Sequence, residues 1–195
     1  MVDMILYVLL IVVPIAAVIV TYYVAANFVG VLWLWSRISF VMQHQQQTNW
    51  CWAAVAASVS AFFNPSTTWT QCAIVNAELG RNDCCTNGSS ANCNKAWYLD
   101  KALTRTGNFV SMSAGAGTMN DVAQEIDNNR PLCARIGWSG PNDGGHFVAI
   151  DGYNRNLDMV AVDDPWSGAS DVDLTVFQTA YHGSGSWTHS YRVKP

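Results

Sequence analysis

Charge is scarce in this chain, and positive charge is the scarcer sign. Ten Lys and Arg stand against fourteen Asp and Glu, 12% of 195 residues, for a net charge of −4. No basic block occurs. A surface that tracks phosphates needs clustered Lys and Arg, so no nucleic-acid partner is expected. No Lys-Ser or Lys-Thr follows Gly115-Ala116-Gly117 or Ser139-Gly140-Pro141, so neither makes a phosphate loop. No Cys-x-x-Cys pair is present, which argues against a four-thiolate zinc site. No metal or cofactor is expected. There is no internal repeat and no low-complexity linker. The length then suits one globular domain with an appendage.

Charge is missing altogether from residues 4–35. At 1.5 Å per residue, a helix of that length exceeds the roughly 30 Å hydrocarbon thickness of a bilayer. The expectation is a hydrophobic leader over residues 1–40, followed by the domain over 41–195. A membrane anchor kinked at Pro14 is one reading of it. A cleaved signal peptide is another, with Val24-Ala25-Ala26 as the cleavage site but no positive n-region. The third is a start placed too far upstream, with translation beginning nearer Met42. Arg37, the nearby basic residue, points the domain weakly toward the cytoplasm.

The cysteines point the other way. Of six, Cys72, Cys84, Cys85 and Cys93 fall within a turn-rich stretch that contains Asn87-Gly88-Ser89-Ser90. They read as two disulfides formed in an oxidising compartment. A Cys84–Cys85 bond would be strained, so Cys72 and Cys93 should each take one of the adjacent pair. The chain is therefore expected to be secreted, or anchored with an extracytoplasmic domain and membrane association through residues 4–35. Cys133 lies in an apolar run and reads as a buried free thiol.

After the leader the pattern is helical first and extended second. Thr48 or Asn49 can cap an Ala-rich, buried helix through Cys51–Val59, broken at Asn64-Pro65. Thr68-Trp69-Thr70-Gln71 resembles a capping box before a helix that Gly80 stops. Further helices are expected over Lys95–Thr104 and after Thr118. Beyond Pro131 come short apolar or alternating runs: Leu132–Trp138, His146–Tyr153, Met159–Val162, Val172–Phe177 and Trp187–Val193. This predicts an α+β domain: a helical lobe (41–130), an antiparallel sheet or partial barrel (131–195), and a cleft between them.

Four positions carry the chemistry. Cys51 opens the first helix, where the backbone dipole favours a thiolate. His146 follows two glycines and heads a strand, which lets the loop approach closely and holds the ring. His44 is too close to Cys51 in sequence to face it, and His182 and His189 read as surface residues. An imidazole that serves a thiol needs a partner on its other nitrogen. Asp163 and Asp164 end the adjacent strand on opposite faces, and Asp164 is preferred because Pro165 fixes the chain after it and Trp166 can shield the pair. Asp151 is the weaker alternative. The Cys51 N–H and the Gln45 amide are the candidate oxyanion donors, with Gln46 or Gln47 a residue or two out of register.

The ordered set Gln45-(five residues)-Cys51-Trp52-Ala53, then Gly145-His146-Phe147, then Asp164-Pro165-Trp166, resembles the papain-like cysteine peptidases. It is similar in particular to compact bacterial branches: the peptidases that remove double-glycine leaders from bacteriocins, and the papain-like type III effector proteases of plant pathogens. Both carry Asp-Pro at this place. The resemblance covers about residues 43–194 and implies a two-lobe papain-like fold. By position, Cys51 is the nucleophile, His146 the base and acid, Asp164 the orienter and Gln45 the oxyanion donor. The expected activity is hydrolysis of peptide or isopeptide bonds in a peptide or protein substrate, by a monomer. A transglutaminase-like acyl transferase and a catalytically inactive papain-like binding domain are the alternatives. Thr48-Asn49-Trp50 replaces the Cys-Gly-Ser that precedes the nucleophile in papain. The shorter Cys-to-His separation also removes papain's substrate-binding insertions.

Overall fold

The computed structural model describes residues 35–139 and 144–195. The expected leader, up to residue 34, lies outside them. No helix among the described residues is long and apolar enough to cross a membrane. The compact unit runs from Ser36 to Pro195.

Helix α1 (Cys51–Phe63) is the centre of the helical lobe. Ten of its thirteen residues are buried, as its alanines and lack of charge require. It ends where Asn64 turns extended before Pro65. The expected side-chain cap is not there. Trp50 is the N-cap residue, and the side chains of Thr48 and Asn49 are turned to Asn94 instead. Helix α2 (Gln71–Leu79) is capped by Thr70, which accepts from the Ala73 N–H, two residues beyond the expected Thr68. Gly80 closes it at φ 63°. Helix α3 (Leu99–Thr106) starts four residues later than expected. Lys95 and Cys93 engage the tryptophans of the α1 turn through their carbonyls, which keeps that stretch out of a helix.

Strand β2 (Phe109–Ala114) was not expected in the helical half. It joins the sheet edge beside the last strand. Helix α4 (Met119–Asp127) begins with a capping box between Thr118 and Asp121. Strands β3 (Leu132–Trp138), β4 (Gly145–Asn154) and β5 (Met159–Asp164) form the antiparallel centre. The strand expected over Val172–Phe177 divides instead. Strand β6 (Gly168–Asp173) ends at Asp173, whose carboxylate accepts from the Val176 N–H and starts helix α5 (Leu174–Thr179). Leu174 and Phe177 then bury together at helical spacing. Strand β7 (Gly185–Val193) returns between β2 and β3, giving the order β2-β7-β3-β4-β5-β6. A short strand, β1 (Ser36–Arg37), pairs with the far end of β4 and draws the unit's start ahead of residue 41.

Alternation on β3 and β4 buries both faces of the sheet. Cys133, Phe147, Ala149 and Tyr191 pack toward α1, α2 and α3. Ala134, Val148, Ile150 and Val162 pack toward α4 and α5. The N-terminal end of α1 thereby meets the start of β4 and the end of β5.

Candidate active site

Two disulfides shape the approach to α1. They join Cys72 to Cys85 and Cys84 to Cys93, so each of the adjacent cysteines has a separate partner. This pairing consumes the thiols that a zinc site would need. The stapled loop grips the turn that leads into Cys51. Asn94 accepts from the backbone N–H and the side-chain Nδ2 of Asn49 and donates to Thr48 Oγ1 at 2.8 Å. Trp50 and Trp52 donate their indole N–H groups to the Cys93 and Lys95 carbonyls at 2.9 and 3.0 Å. The loop does for the helix start what an N-cap side chain would otherwise do.

Cys51 is a free, buried thiol at the first residue of α1. It lines a cleft of about 360 Å³ together with His146 and Asp164. His146 Nε2 lies 2.7 Å from Asp164 Oδ1. A carboxylate can only accept, so Nε2 carries the proton and Nδ1 is the ring nitrogen left for another partner. Burial works against charge on the imidazole. The hydrogen bond to Asp164 and the proximity of Cys51 outweigh that and raise it to about 9.

Asp164 is 3% exposed and sits at the end of β5. Its Oδ1 also accepts from the Trp166 and Ser167 amides at 2.7 and 3.0 Å. Its Oδ2 accepts from Tyr181 at 3.1 Å. Burial pushes the carboxyl up; His146 first, then the Trp166 and Ser167 amides, bring it down to about 2. Asp163 pairs with Ala149 and faces the other side of the sheet, where it and Asp151 share the surroundings of Arg37. Neither meets His146. Trp166 does not bury the pair as expected. Its ring is 54% exposed and stacks near His44, and only its backbone holds Asp164.

Gln45 is buried, at 4% exposure. Its Nε2 donates to the Gln47 and Thr48 carbonyls at 2.8 and 2.9 Å, and it is not among the residues that line the cleft. Its backbone N–H bonds the Pro165 carbonyl at 2.9 Å, tying the turn before Cys51 to the segment after Asp164. Gln46 and Gln47 do not line the cleft either.

Three contributors were not foreseen. Tyr181 secures the second oxygen of Asp164. His182, correctly placed at the surface, brings Nε2 within 3.9 Å of that oxygen. Asn94 holds the turn that leads into Cys51. Tyr181 and His182 carry no signal in sequence, because an isolated bridge from Tyr181 to Gly185 places them. Cys133, by contrast, is the buried thiol it was expected to be, pushed up to about 12 by burial alone.

A buried helix that opens on a cysteine, facing an antiparallel sheet that presents a histidine beside an aspartate, defines the papain-like cysteine peptidases. Residues 37–193 match the model of the Peptidase_C39 like family, and the chain belongs to that family. It is a cysteine-type peptidase. No curated protein sequence matches it. Among solved structures, the peptidase domain of Streptococcus ComA, a bi-functional ABC transporter involved in quorum sensing, superposes with a TM-score of 0.51. It is 16% identical, over 80% of this chain and 99% of that one. A double glycine motif protease from an AMS/PCAT transporter, solved with its leader peptide, gives 0.46 at 16% identity, over 82% and 95%. The Pseudomonas avirulence protein AvrPphB gives 0.38 at 10% identity, over 80% and 98%. At such identities the first of these speaks to the fold, and the other two are looser likenesses.

Proposed function

We propose that the chain hydrolyses peptide or isopeptide bonds through an acyl-enzyme on Cys51, with His146 as base and acid and Asp164 as its orienter. The observation that carries this is the meeting of the three side chains in one cleft, with His146 Nε2 at 2.7 Å from a buried carboxylate. His146 Nδ1 takes the thiol proton, and the thiolate attacks the carbonyl carbon. The imidazolium then protonates the leaving amine, and water deacylates the enzyme with His146 as base.

The Cys51 N–H at the helix start is the first oxyanion donor, since the first amides of a helix have no intrahelical acceptor. Gln45 fills the second place by turning Nε2 away from the Gln47 and Thr48 carbonyls. Two disulfides suit an oxidising compartment, and the extracytoplasmic location is proposed on that ground.

The test is Cys51→Ala on casein or a peptide library. Turnover should fall to background while circular dichroism is unchanged. Turnover equal to that of the parent chain would refute the proposal.

A further inference from the structure

A second and larger hollow opens on the same thiol. It encloses about 580 Å³ and shares Cys51 and Gly145 with the cleft that holds His146. Its walls are aromatic, from Trp97 and Tyr98 on one side and Phe147 and Tyr191 on the other. Apolar groups stand open at this hollow: Tyr98 is 58% exposed and Met112 is 49% exposed. No ring or helix of the described chain covers it. A substrate chain laid across Cys51 has to place one of its residues here.

One charge in this hollow, that of Arg135, forms no ion pair with an acid among the described residues. Arg135 is the lone charged residue of β3, in an otherwise apolar run. A Cβ placed on Gly145 would meet its Nε, Nη2 and Cζ at 2.6 to 2.8 Å. The guanidinium therefore lies flat against the glycine that precedes His146. That close approach is what the glycine permits, and it keeps the group beside the nucleophile. Its one hydrogen bond goes from Nη1 to Thr188 Oγ1 at 2.9 Å. A guanidinium offers five N–H donors in a planar fork that matches a carboxylate. Asp100 lines the same hollow without forming an ion pair with Arg135. Burial drives the hydroxyl of Tyr191 up, Asp100 adds to that, and Arg135 draws it down.

We propose that this hollow is a substrate subsite in which Arg135 selects a carboxylate carried by the peptide. The aromatic walls hold the stem of the residue, and the guanidinium fork takes its acid group. Asp100 guards the opposite wall and disfavours acids that do not reach Arg135. A carboxylate could come from an Asp or Glu side chain or from the free C-terminus of the peptide. This selection rests on Cys51 being the nucleophile.

The experiment is cleavage of a position-scanned peptide library by the full chain, with every peptide made in free-acid and amidated forms. At one position Glu should be preferred to Gln by about 10- to 100-fold in kcat/KM, the range for a hydrogen bond to a charged partner. A Glu-over-Gln preference that survives amidation assigns the side chain, whereas a preference for free-acid over amidated peptides with Glu and Gln cleaved alike assigns the terminal carboxylate. In Arg135→Gln the Glu-to-Gln ratio should collapse toward one, and in Arg135→Lys it should recover in part. In Asp100→Asn the ratio should rise.

A wild-type chain that shows neither an acid preference at any position nor a preference for free-acid over amidated peptides overturns the proposal, whether or not the variants fold. So does an Arg135→Gln variant that loses acidic and neutral peptides alike, since that marks a structural arginine. Absence of cleavage by Cys51→Ala beside a flat ratio in the parent chain separates failure of this selection from failure of the hydrolase reading.

Discussion

Replacing Asp164 by Asn removes one charge and keeps the shape. The carbonyl oxygen of Asn can still accept from His146 Nε2, Trp166 N and Ser167 N, the three donors that now share Oδ1. What goes is the negative charge that holds the imidazole up at about 9. Viewed from the carboxylate, the interaction lowers the acid from 3.8 to about 2, worth about 2.5 kcal/mol. Viewed from the imidazole, the rise from 6.5 to about 9 is worth about 3.4 kcal/mol.

These are two views of one contact and do not add. The imidazole is also held up by Cys51, and the carboxylate is also held down by the Trp166 and Ser167 amides, so neither figure isolates the contact, which is on the order of 2 kcal/mol. The burial that opposes the charge remains in the variant, so the imidazole should fall by about two units.

The sign follows from each group. His146 is raised, so its contribution to stability is complete below pH 6.5 and is lost as pH climbs through about 9. Asp164 is depressed, so its contribution is present above pH 3.8 and is lost as pH falls through about 2. The same imidazolium sets the alkaline edge of activity if it must protonate the leaving amine. In kcat/KM profiles the parent chain should therefore lose activity near pH 9, and Asp164→Asn near pH 7. Thermal unfolding across pH 5 to 10 should show the parent's advantage over the variant vanishing above about pH 9. An alkaline edge that stays within half a unit of the parent's would refute the reasoning, because the edge would then belong to another group.

Further outcomes concern the frame around the thiol. Breaking the Cys84–Cys93 bond by the double change to Ser should cost about 2 to 3 kcal/mol, read as a lowered unfolding midpoint in urea. It should also lower kcat more than it raises KM, since Asn94 and the Cys93 carbonyl then hold the Cys51 turn less firmly. Gln45→Ala should lower kcat by about 100-fold with little change in KM if its amide reaches the oxyanion. A loss of stability without that kcat effect would confine Gln45 to pinning the Gln47 and Thr48 carbonyls.

The positions that meet in the cleft were legible because each is marked by a local rule. A cysteine before an Ala-rich run must open a buried helix. A histidine after two glycines must head a strand. Two acids in succession at a strand end must face opposite ways, and the register of β5 on β4 turned Asp164 to the ring. What stayed hidden depends on contacts distant in sequence. Nothing near Tyr181 says that its hydroxyl will reach an acid at the end of β5. Nothing near Asn94 says that it will replace Thr48 and Asn49 as the means of fixing α1. The division of residues 172–177 was readable in principle. Asp173 three positions before Val176 is an N-cap, but the apolar alternation around it outweighed that signal. Arg135 was readable too, as a lone cation in a strand whose neighbours are all apolar or small.

The loss of the expected helix cap and the presence of two disulfides are one fact rather than two. If Cys51 is the nucleophile, as proposed, its helix cannot spend its first amides on a capping side chain without blocking the place where an oxyanion must bind. Thr48 and Asn49 point away from that place, to Asn94, and Trp50 holds the N-cap position with no side-chain bond. The stiffness a cap would supply is provided from behind, by indole and amide bonds to residues 93–95. Those residues are themselves fixed by the Cys84–Cys93 bond and, through Cys85, by the start of α2. The cysteines that stabilise the loop thus keep the front of the helix open. A capping substitution at residue 50, such as Trp50→Asp, should therefore fail to stabilise the chain. It would trade a buried indole for a carboxylate set against the developing oxyanion, and measured turnover should fall even in the fraction that remains folded.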